Sequence, residues 1–148
     1  MKKLLLPEII FPRGFNNTKQ YTAYLAEVKN LLEKFNIVDA VIVFTGSSTT
    51  GYSKNPAKVG KFFGKDSDID ASFDSPELID FLEKQGIVGS KKIPGLFLPK
   101  HFKKCSEKSE LWDALEELDQ KWFKILGRDI EMAIKRRKTC LTDIVVYF

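Results

Sequence analysis

The sequence predicts an α+β fold in which a mixed β-sheet is flanked by helices. Residues 41–44 and 68–73 have the apolar run and the alternation expected of strands, whereas residues 18–35 and 109–126 carry apolar side chains at helical spacing. The predicted order, helix–strand–strand–helix and then helix–strand–strand, is typical of the α+β class. With 148 residues the chain is long enough to bury a substantial core, so we expect one domain over residues 1–148.

The first half of the chain is expected to form an arm, a helix and two strands. Residues 4–15 are apolar but interrupted by prolines and a glycine, which predicts an extended arm lying on the core. Residues 18–35 form an amphipathic helix that Asn17 or Thr18 can cap. Residues 41–44 are rich in β-branched side chains and are followed by Gly46, as expected of a buried strand.

The second half predicts two more helices and the remaining strands. Ser75 and Pro76 have the order of an N-cap and a first helical residue, and Gly86 ends that helix. Residues 96–98 are a short strand candidate, and residues 109–126 form a long helix with a core face of seven apolar residues: Leu111, Trp112, Leu115, Leu118, Trp122, Ile125 and Leu126. Residues 128–134 alternate as a strand, and residues 140–148 predict a closing strand.

Charge and cysteine content restrict the function classes. The formal net charge of +4 and a pI of 9.0 mildly favour a polyanionic partner, with ordinary surface lysine as the alternative. Two cysteines and one histidine without metal-ligand spacing do not predict a disulfide scaffold or a zinc site. The apolar residues near the N-terminus stop at Pro7, too early for a signal peptide, and no apolar run reaches membrane-spanning length. We therefore expect a cytoplasmic protein without a membrane partner.

A pair of carboxylates marks the start of the second strand. Asp68 and Asp70 are separated by Ile69, so on a strand both acids lie on one face and the isoleucine lies on the other. Neighbouring carboxylates repel each other, and a hard divalent cation is the usual reason to place them together. The first strand ends in Gly46-Ser47-Ser48, a turn of small residues where a phosphate can approach the backbone closely. Together these features predict metal-assisted phosphoryl or nucleotidyl transfer.

This combination resembles the signature of the nucleotidyltransferase superfamily, which has the DNA polymerase β-like fold. The matching parts are the strand ending in Gly46-Ser47 and the Asp68-Ile69-Asp70 strand, although the intervening loop is longer than the family's usual spacer. The resemblance implies that two Mg²⁺ or Mn²⁺ ions are held by Asp68, Asp70 and a third acid. It also implies that the backbone and hydroxyls of Gly46, Ser47 and Ser48 hold the phosphates of a nucleoside triphosphate such as ATP.

The third acid is expected on a strand beside the acid pair. Glu131 is the preferred candidate, because residues 129–134 alternate correctly and are similar to the family's third-acid strand. Asp129 shares the face of Glu131, and Asp143 lies in the last predicted strand, so both remain alternatives.

Two groups of basic residues are candidates for anion contacts. Lys65, in the long loop, is expected to guide the triphosphate towards the acids. Four consecutive residues after the third-acid strand are expected to grip a nucleic-acid backbone, with simple solubility as the alternative: Lys135, Arg136, Arg137 and Lys138. With the positive net charge, they favour RNA, particularly a tRNA end, as the hydroxyl acceptor.

The chain is also similar to the nucleotidyltransferase-like toxin domains of bacterial polymorphic and contact-dependent toxins. The features in common are the compact length, the long loop and the sequence motif Gly-Ser-Ser-x-x-Gly followed by Ser-Asp-Ile-Asp. This resemblance implies an effector that acts in the cytoplasm of a target cell and is neutralised by an immunity protein or antitoxin.

A different functional class remains as an alternative, namely a binding domain without catalysis. It would be either a degenerate nucleotidyltransferase or a calcium module. Asp66, Asp68, Asp70 and Glu77 have the spacing of the oxygen ligands in an EF-hand loop, but Ala71 stands where that loop needs glycine for its sharp turn.

Overall fold

The computed structural model describes residues 10–51, 62–64, 67–93, 95–102, 109–136 and 142–148, without the side chains of Pro99, Phe102 and Glu131. Its helices and strands follow in the order α1 (Thr18–Lys34), β1 (Val41–Thr45), α2 (Ser47–Thr50), β2 (Ile69–Asp74), α3 (Pro76–Lys84), β3 (Leu96–Phe97), α4 (Pro99–Phe102), α5 (Ser109–Leu126), β4 (Ile130–Lys135) and β5 (Ile144–Tyr147). The α+β class predicted from the sequence is confirmed.

The described strands form one five-stranded sheet in the order β3-β4-β2-β1-β5. Strand β2 pairs with β4 in parallel, whereas β1–β2, β1–β5 and β3–β4 are antiparallel, so the sheet is mixed as predicted. A parallel pair needs a crossover connection, which here contains α3, β3, α4 and α5. This crossover places β4 next to β2, although the two strands are far apart in the sequence.

One face of the sheet packs against the helices. Alternate residues of β1, β2 and β4 are buried there, in one cluster with residues from α1, α3 and α5: Ile42, Phe44, Ile69, Ala71, Phe73, Ile130, Met132 and Ile134. The residues between them lie on the other face because side chains alternate along a strand. Asp70 belongs to this second face and is exposed, whereas Ile69 is completely buried. Asp70 therefore lies on the sheet face that does not pack against the helices.

Three of the differences from the sequence prediction concern α5, β4 and β5. Ile125, predicted to face the core, is 43% exposed, since the buried stripe of α5 passes from Trp122 to the partly buried Leu126. Strand β4 begins at Ile130 rather than residue 128 and ends at Lys135. The closing strand is shorter than predicted, because Thr142 and Asp143 precede β5 and residues 140–141 lie outside the described part of the chain.

Aromatic residues fill the contact between α1, α5 and the sheet. The ring of Tyr24 lies 5.4 Å from that of Trp122 and 5.5 Å from that of Phe15, and Phe15 also contacts Phe44 on β1. Glu27 joins the two helices, accepting hydrogen bonds from the Trp122 indole N–H at 2.7 Å and from Lys121. The burial of Phe15 agrees with the predicted arm on the core; residues 4–9 of that arm lie outside the described residues. None of the described helices combines the length and apolar character needed to cross a membrane.

Tyr24 carries a buried hydroxyl that has no hydrogen-bond partner among the described residues. Burial, with a contribution from Asp119, raises the pKa of Tyr24 well above its usual value of 10.0. We expect Tyr24→Phe to raise the free energy of unfolding by about 1 kcal/mol, because an unsatisfied buried hydroxyl is removed. Chemical denaturation of both proteins at neutral pH measures this difference.

The same tyrosine predicts how stability depends on alkaline pH. The pKa of Tyr24 is higher in the folded state than in the unfolded state, where it is near 10.0. The free energy of unfolding is therefore unaffected by ionisation of Tyr24 below pH 10.0 and decreases as the pH rises from there towards the folded-state pKa. Relative to Tyr24→Phe, the wild type should lose about 1.4 kcal/mol per pH unit in that range. Parallel pH dependences of the two proteins would contradict the prediction.

Candidate active site

The acid pair lies where β1, β2 and β4 meet. Asp70 is paired with Thr45 of β1 on one side and with Glu131 of β4 on the other. Neighbouring strands are about 4.8 Å apart, and residues in register on parallel strands share a face. Asp68 stands just before β2 and is exposed, at the level where the Ile69 N–H donates to the Asp129 carbonyl at 2.9 Å. This end of the sheet thus carries four acidic residues, two at the start of β2 and two at the start of β4: Asp68, Asp70, Asp129 and Glu131.

The strand order ranks the three candidates for a third acid. Glu131 is the direct neighbour of Asp70 in the register, and Asp129 occupies the level of Asp68. Asp143 precedes β5, which pairs with β1 and is separated from β2 by that strand. The register therefore favours β4, and Glu131 within it, as the source of the third carboxylate.

Gly46 connects the small-residue turn to the acid pair. Its φ of 75° and ψ of −153° lie in a region of backbone conformation that is essentially restricted to glycine. A Cβ atom placed on Gly46 would lie only 2.6 Å from Oδ2 of Asp70, so the missing side chain is also required for space. The sequence suggested a role for each of these residues separately, but their contact becomes visible only in the fold.

The turn continues as the short helix α2 rather than as the predicted loop. The Ser48 side chain is buried, and its hydroxyl donates to the Thr45 carbonyl at 3.0 Å. The hydroxyls of Thr49 and Thr50 both donate back to the Gly46 carbonyl. Ser48 was predicted to contact phosphate with its hydroxyl, but this group is engaged in supporting the turn. Gly46 is exposed and Ser47 is half-buried.

Arg13 supports α2 from the preceding segment of the chain. Its backbone N–H donates to the Ser48 carbonyl at 2.7 Å, and its Nη1 donates to the Thr49 carbonyl at 3.0 Å. These bonds satisfy carbonyl groups that a helix end leaves without intrahelical partners. The sequence analysis missed Arg13, because no local pattern links it to a helix more than thirty residues later.

The geometry around Asp70 does not fit an EF-hand loop. Residues Ile69–Asp74 form an extended strand, and Glu77 lies beyond it in the first turn of α3. At about 3.3 Å per residue, such a strand carries Asp70 and Glu77 far apart instead of around one ion. Asp66, the first residue of the EF-hand pattern, lies outside the described residues.

The donor set is suited to Mg²⁺ or Mn²⁺. Asp68 and Asp70 are exposed, and carboxylate oxygens are the hard ligands these ions prefer. Within the described side chains no three acidic, histidine or cysteine residues form a complete metal cluster. The third ligand position, Glu131, is described for its backbone only. The missing side chain of Gly46 leaves just enough room for the Asp70 carboxylate, and the parallel register places the backbone of Glu131 beside Asp70.

The basic residues that the sequence predicts to contact anions lie in different surroundings. Arg136 pairs with α3, since its guanidinium donates to Asp80 at 2.8 Å and lies 3.6 Å from Glu83. The hydrogen bond to Asp80 is the main reason that the pKa of Arg136 is raised. Lys135 ends β4 and is half-buried, while three other predicted contacts lie outside the described residues: Lys65, Arg137 and Lys138. Arg136 therefore forms an exposed ion pair with α3, a kind of contact that adds little to stability.

Comparison of the chain with protein-family models, with curated proteins and with solved structures found no match. The case for a function therefore depends on the arrangement of residues at the end of β1 and the beginnings of β2 and β4.

Proposed function

We propose that the protein is a metal-dependent nucleotidyltransferase that transfers a nucleoside monophosphate from a nucleoside triphosphate to a hydroxyl group. The observation that carries the proposal is the register of the sheet, in which Asp70 lies between the end of β1 and Glu131 of β4. The contact between Gly46 and the Asp70 carboxylate supports it further, because a phosphate-binding turn and a metal-binding acid must be adjacent for this reaction.

In the proposed reaction the acceptor oxygen forms a bond to the α-phosphorus, and the bond between that phosphorus and the bridging oxygen of the β-phosphate breaks. Pyrophosphate leaves, and the acceptor hydroxyl loses its proton to solvent. The turn at Gly46 and Ser47 would hold the departing phosphates, since glycine allows their oxygens to approach the backbone closely. Asp68, Asp70 and Glu131 would hold the Mg²⁺ or Mn²⁺ ions. When bound, these ions neutralise the triphosphate and increase the acidity of the attacking hydroxyl.

The proposed acceptor is RNA, in particular a tRNA end, on the basis of the positive net charge and the basic residues after β4. Contact with a nucleic-acid backbone would involve Lys135, Arg136, Arg137 and Lys138, of which Arg136 also pairs with Asp80 at the protein surface. We propose in addition that the domain acts as a toxin in the cytoplasm of a target cell. Its protein partner would then be an immunity protein or antitoxin that blocks nucleotide transfer.

The experiment that tests the function is incubation with total RNA, Mg²⁺ and each α-labelled nucleoside triphosphate in turn. The Asp68→Asn/Asp70→Asn double variant is the matched control. Label in a tRNA-sized band with the wild type alone would establish the reaction, the donor and the acceptor together. Label in a protein band would support nucleotide transfer but would show that the acceptor is a protein and not RNA. A folded wild type that transfers no nucleotide would instead support a binding domain without catalysis.

A further inference from the structure

Arg128, in the short connection between α5 and β4, joins two separate parts of the chain near the candidate site. Its Nη1 donates to the carbonyl of Gly64 at 3.0 Å and to the carbonyl of Ser67 at 3.1 Å. Its guanidinium also lies over the ring of Phe63, with Cζ 4.6 Å from the ring centroid. One side chain thus fixes three residues of the segment that leads into Asp68.

This segment is held at both of its described ends. The Phe63 N–H donates to the carbonyl of Gly51, directly after α2, at 2.8 Å. Gly64 and Ser67 close a turn, in which the Gly64 N–H donates to Ser67 Oγ at 3.0 Å and the Ser67 N–H donates to the Gly64 carbonyl at 3.1 Å. A continuous series of contacts therefore runs from the end of α2 through Phe63 and Arg128 to the start of β4.

The aliphatic part of the Arg128 side chain packs closely against Gly14. A Cβ atom on Gly14 would lie 3.0 Å from Cδ of Arg128 and 2.6 Å from Cδ1 of Ile69, so the chain passes directly against both side chains. Ile69 is the residue between the two acids and is completely buried. Shifts of the Arg128 side chain would therefore be transmitted to the backbone that carries Asp68 and Asp70.

We infer that Arg128 is a positioning residue, which fixes the acid pair relative to the turn at Gly46. The inference rests on the proposed function. Asp68 lies just outside β2: on one side the Ile69 N–H donates to the Asp129 carbonyl, and on the other the Ser67 carbonyl accepts from Arg128. Arg128 acts by donating hydrogen bonds and stacking on Phe63, and it does not contact the reacting phosphates.

The test compares Arg128→Met, which keeps the aliphatic stem, with Arg128→Lys, which keeps the charge but loses the planar guanidinium. We expect kcat to fall about 100-fold in Arg128→Met, as for a misplacement of catalytic groups by about 1 Å, with KM for the triphosphate little changed. Arg128→Lys should lose about tenfold, because its ammonium can restore a hydrogen bond but not the stacking. Full activity in Arg128→Lys, or a rise in KM alone in Arg128→Met, would indicate a charge that contacts the nucleotide and would overturn the inference.

Amide hydrogen exchange gives a second measurement that does not depend on turnover. In Arg128→Met, the amides of Phe63, Gly64 and Ser67 should exchange about tenfold faster, while those of α1 remain unchanged. Unchanged exchange at these three amides would also overturn the inference. The control is Lys29→Met, which removes a cation from an exposed ion pair with Glu33 on α1 and should alter neither kcat nor exchange at these amides.

The two proposals fail in distinguishable ways. A wild type that is inactive with every nucleoside triphosphate removes the proposed function, and the positioning role with it. An active wild type whose Arg128→Met variant keeps its kcat removes only the inference about Arg128.

Discussion

The Asp70→Asn variant is expected to lose nucleotide transfer by at least about a thousandfold while remaining folded. Loss of a carboxylate that holds a catalytic metal removes several kcal/mol of transition-state stabilisation, and about 4 kcal/mol corresponds to this factor. Asp70 is exposed at the end of the sheet, so the substitution leaves the core unchanged.

The measurement is the initial rate of label transfer from the α-labelled triphosphate, together with the melting temperature. We expect the melting temperature of Asp70→Asn to stay close to that of the wild type, because the exchanged side chain is exposed. The matched control is Asp113→Asn, which changes an exposed aspartate on α5 in the same way and should leave both quantities unchanged. Wild-type transfer rates in Asp70→Asn would show that Asp70 is not part of the catalytic site. An unfolded variant would show that the carboxylate is needed for stability.

The Gly46→Ala variant is expected to be both less stable and about a hundredfold less active. The backbone conformation of Gly46 is one that alanine adopts only with strain of about 1–3 kcal/mol. In addition, the new methyl group would lie 2.6 Å from Oδ2 of Asp70, so either the carboxylate or the turn must move. Displacement of the acid by about 1 Å is enough to reduce the rate about a hundredfold.

Gly86→Ala separates the two causes of this effect. Gly86 also has a positive φ, of 72°, but a Cβ atom there would meet nothing within 4 Å. Its substitution should therefore lower the free energy of unfolding by about 1 kcal/mol without affecting transfer. Denaturant titration and transfer rates measured for both variants test the prediction. Equal losses of stability and equal activity in the two variants would show that contact with Asp70 has no consequence.

Local interactions could be predicted well from the sequence. Helix α3 begins as expected, because the Ser75 side chain accepts a hydrogen bond from the Leu78 N–H and Pro76 takes the first helical position. Helix α5 spans Ser109–Leu126 as expected from its apolar periodicity. The alternation of β2 correctly placed Ile69 in the core and Asp70 outside it. In each case the determining contacts lie within about four residues, or depend on the period of one element.

The partners of the charged and small residues were decided by the tertiary structure. The alternation around residues 129–134 allowed two acids, and only the parallel register of β2 and β4 makes Glu131 the neighbour of Asp70. The basic run after β4 suggested nucleic-acid contact, yet Arg136 pairs with Asp80 because α3 packs beside the end of that strand.

The contact of Gly46 with Asp70 and the bonds of Arg128 to Gly64 and Ser67 have the same origin. They join residues that are far apart in the chain, and no short-range pattern records which residue will be the partner. The sequence by itself determined helices α1, α3 and α5, the strands and the acid pair, since propensity, capping and periodicity act over a few residues. The strand order, and with it the composition of the candidate site, depends on the packing of the whole core.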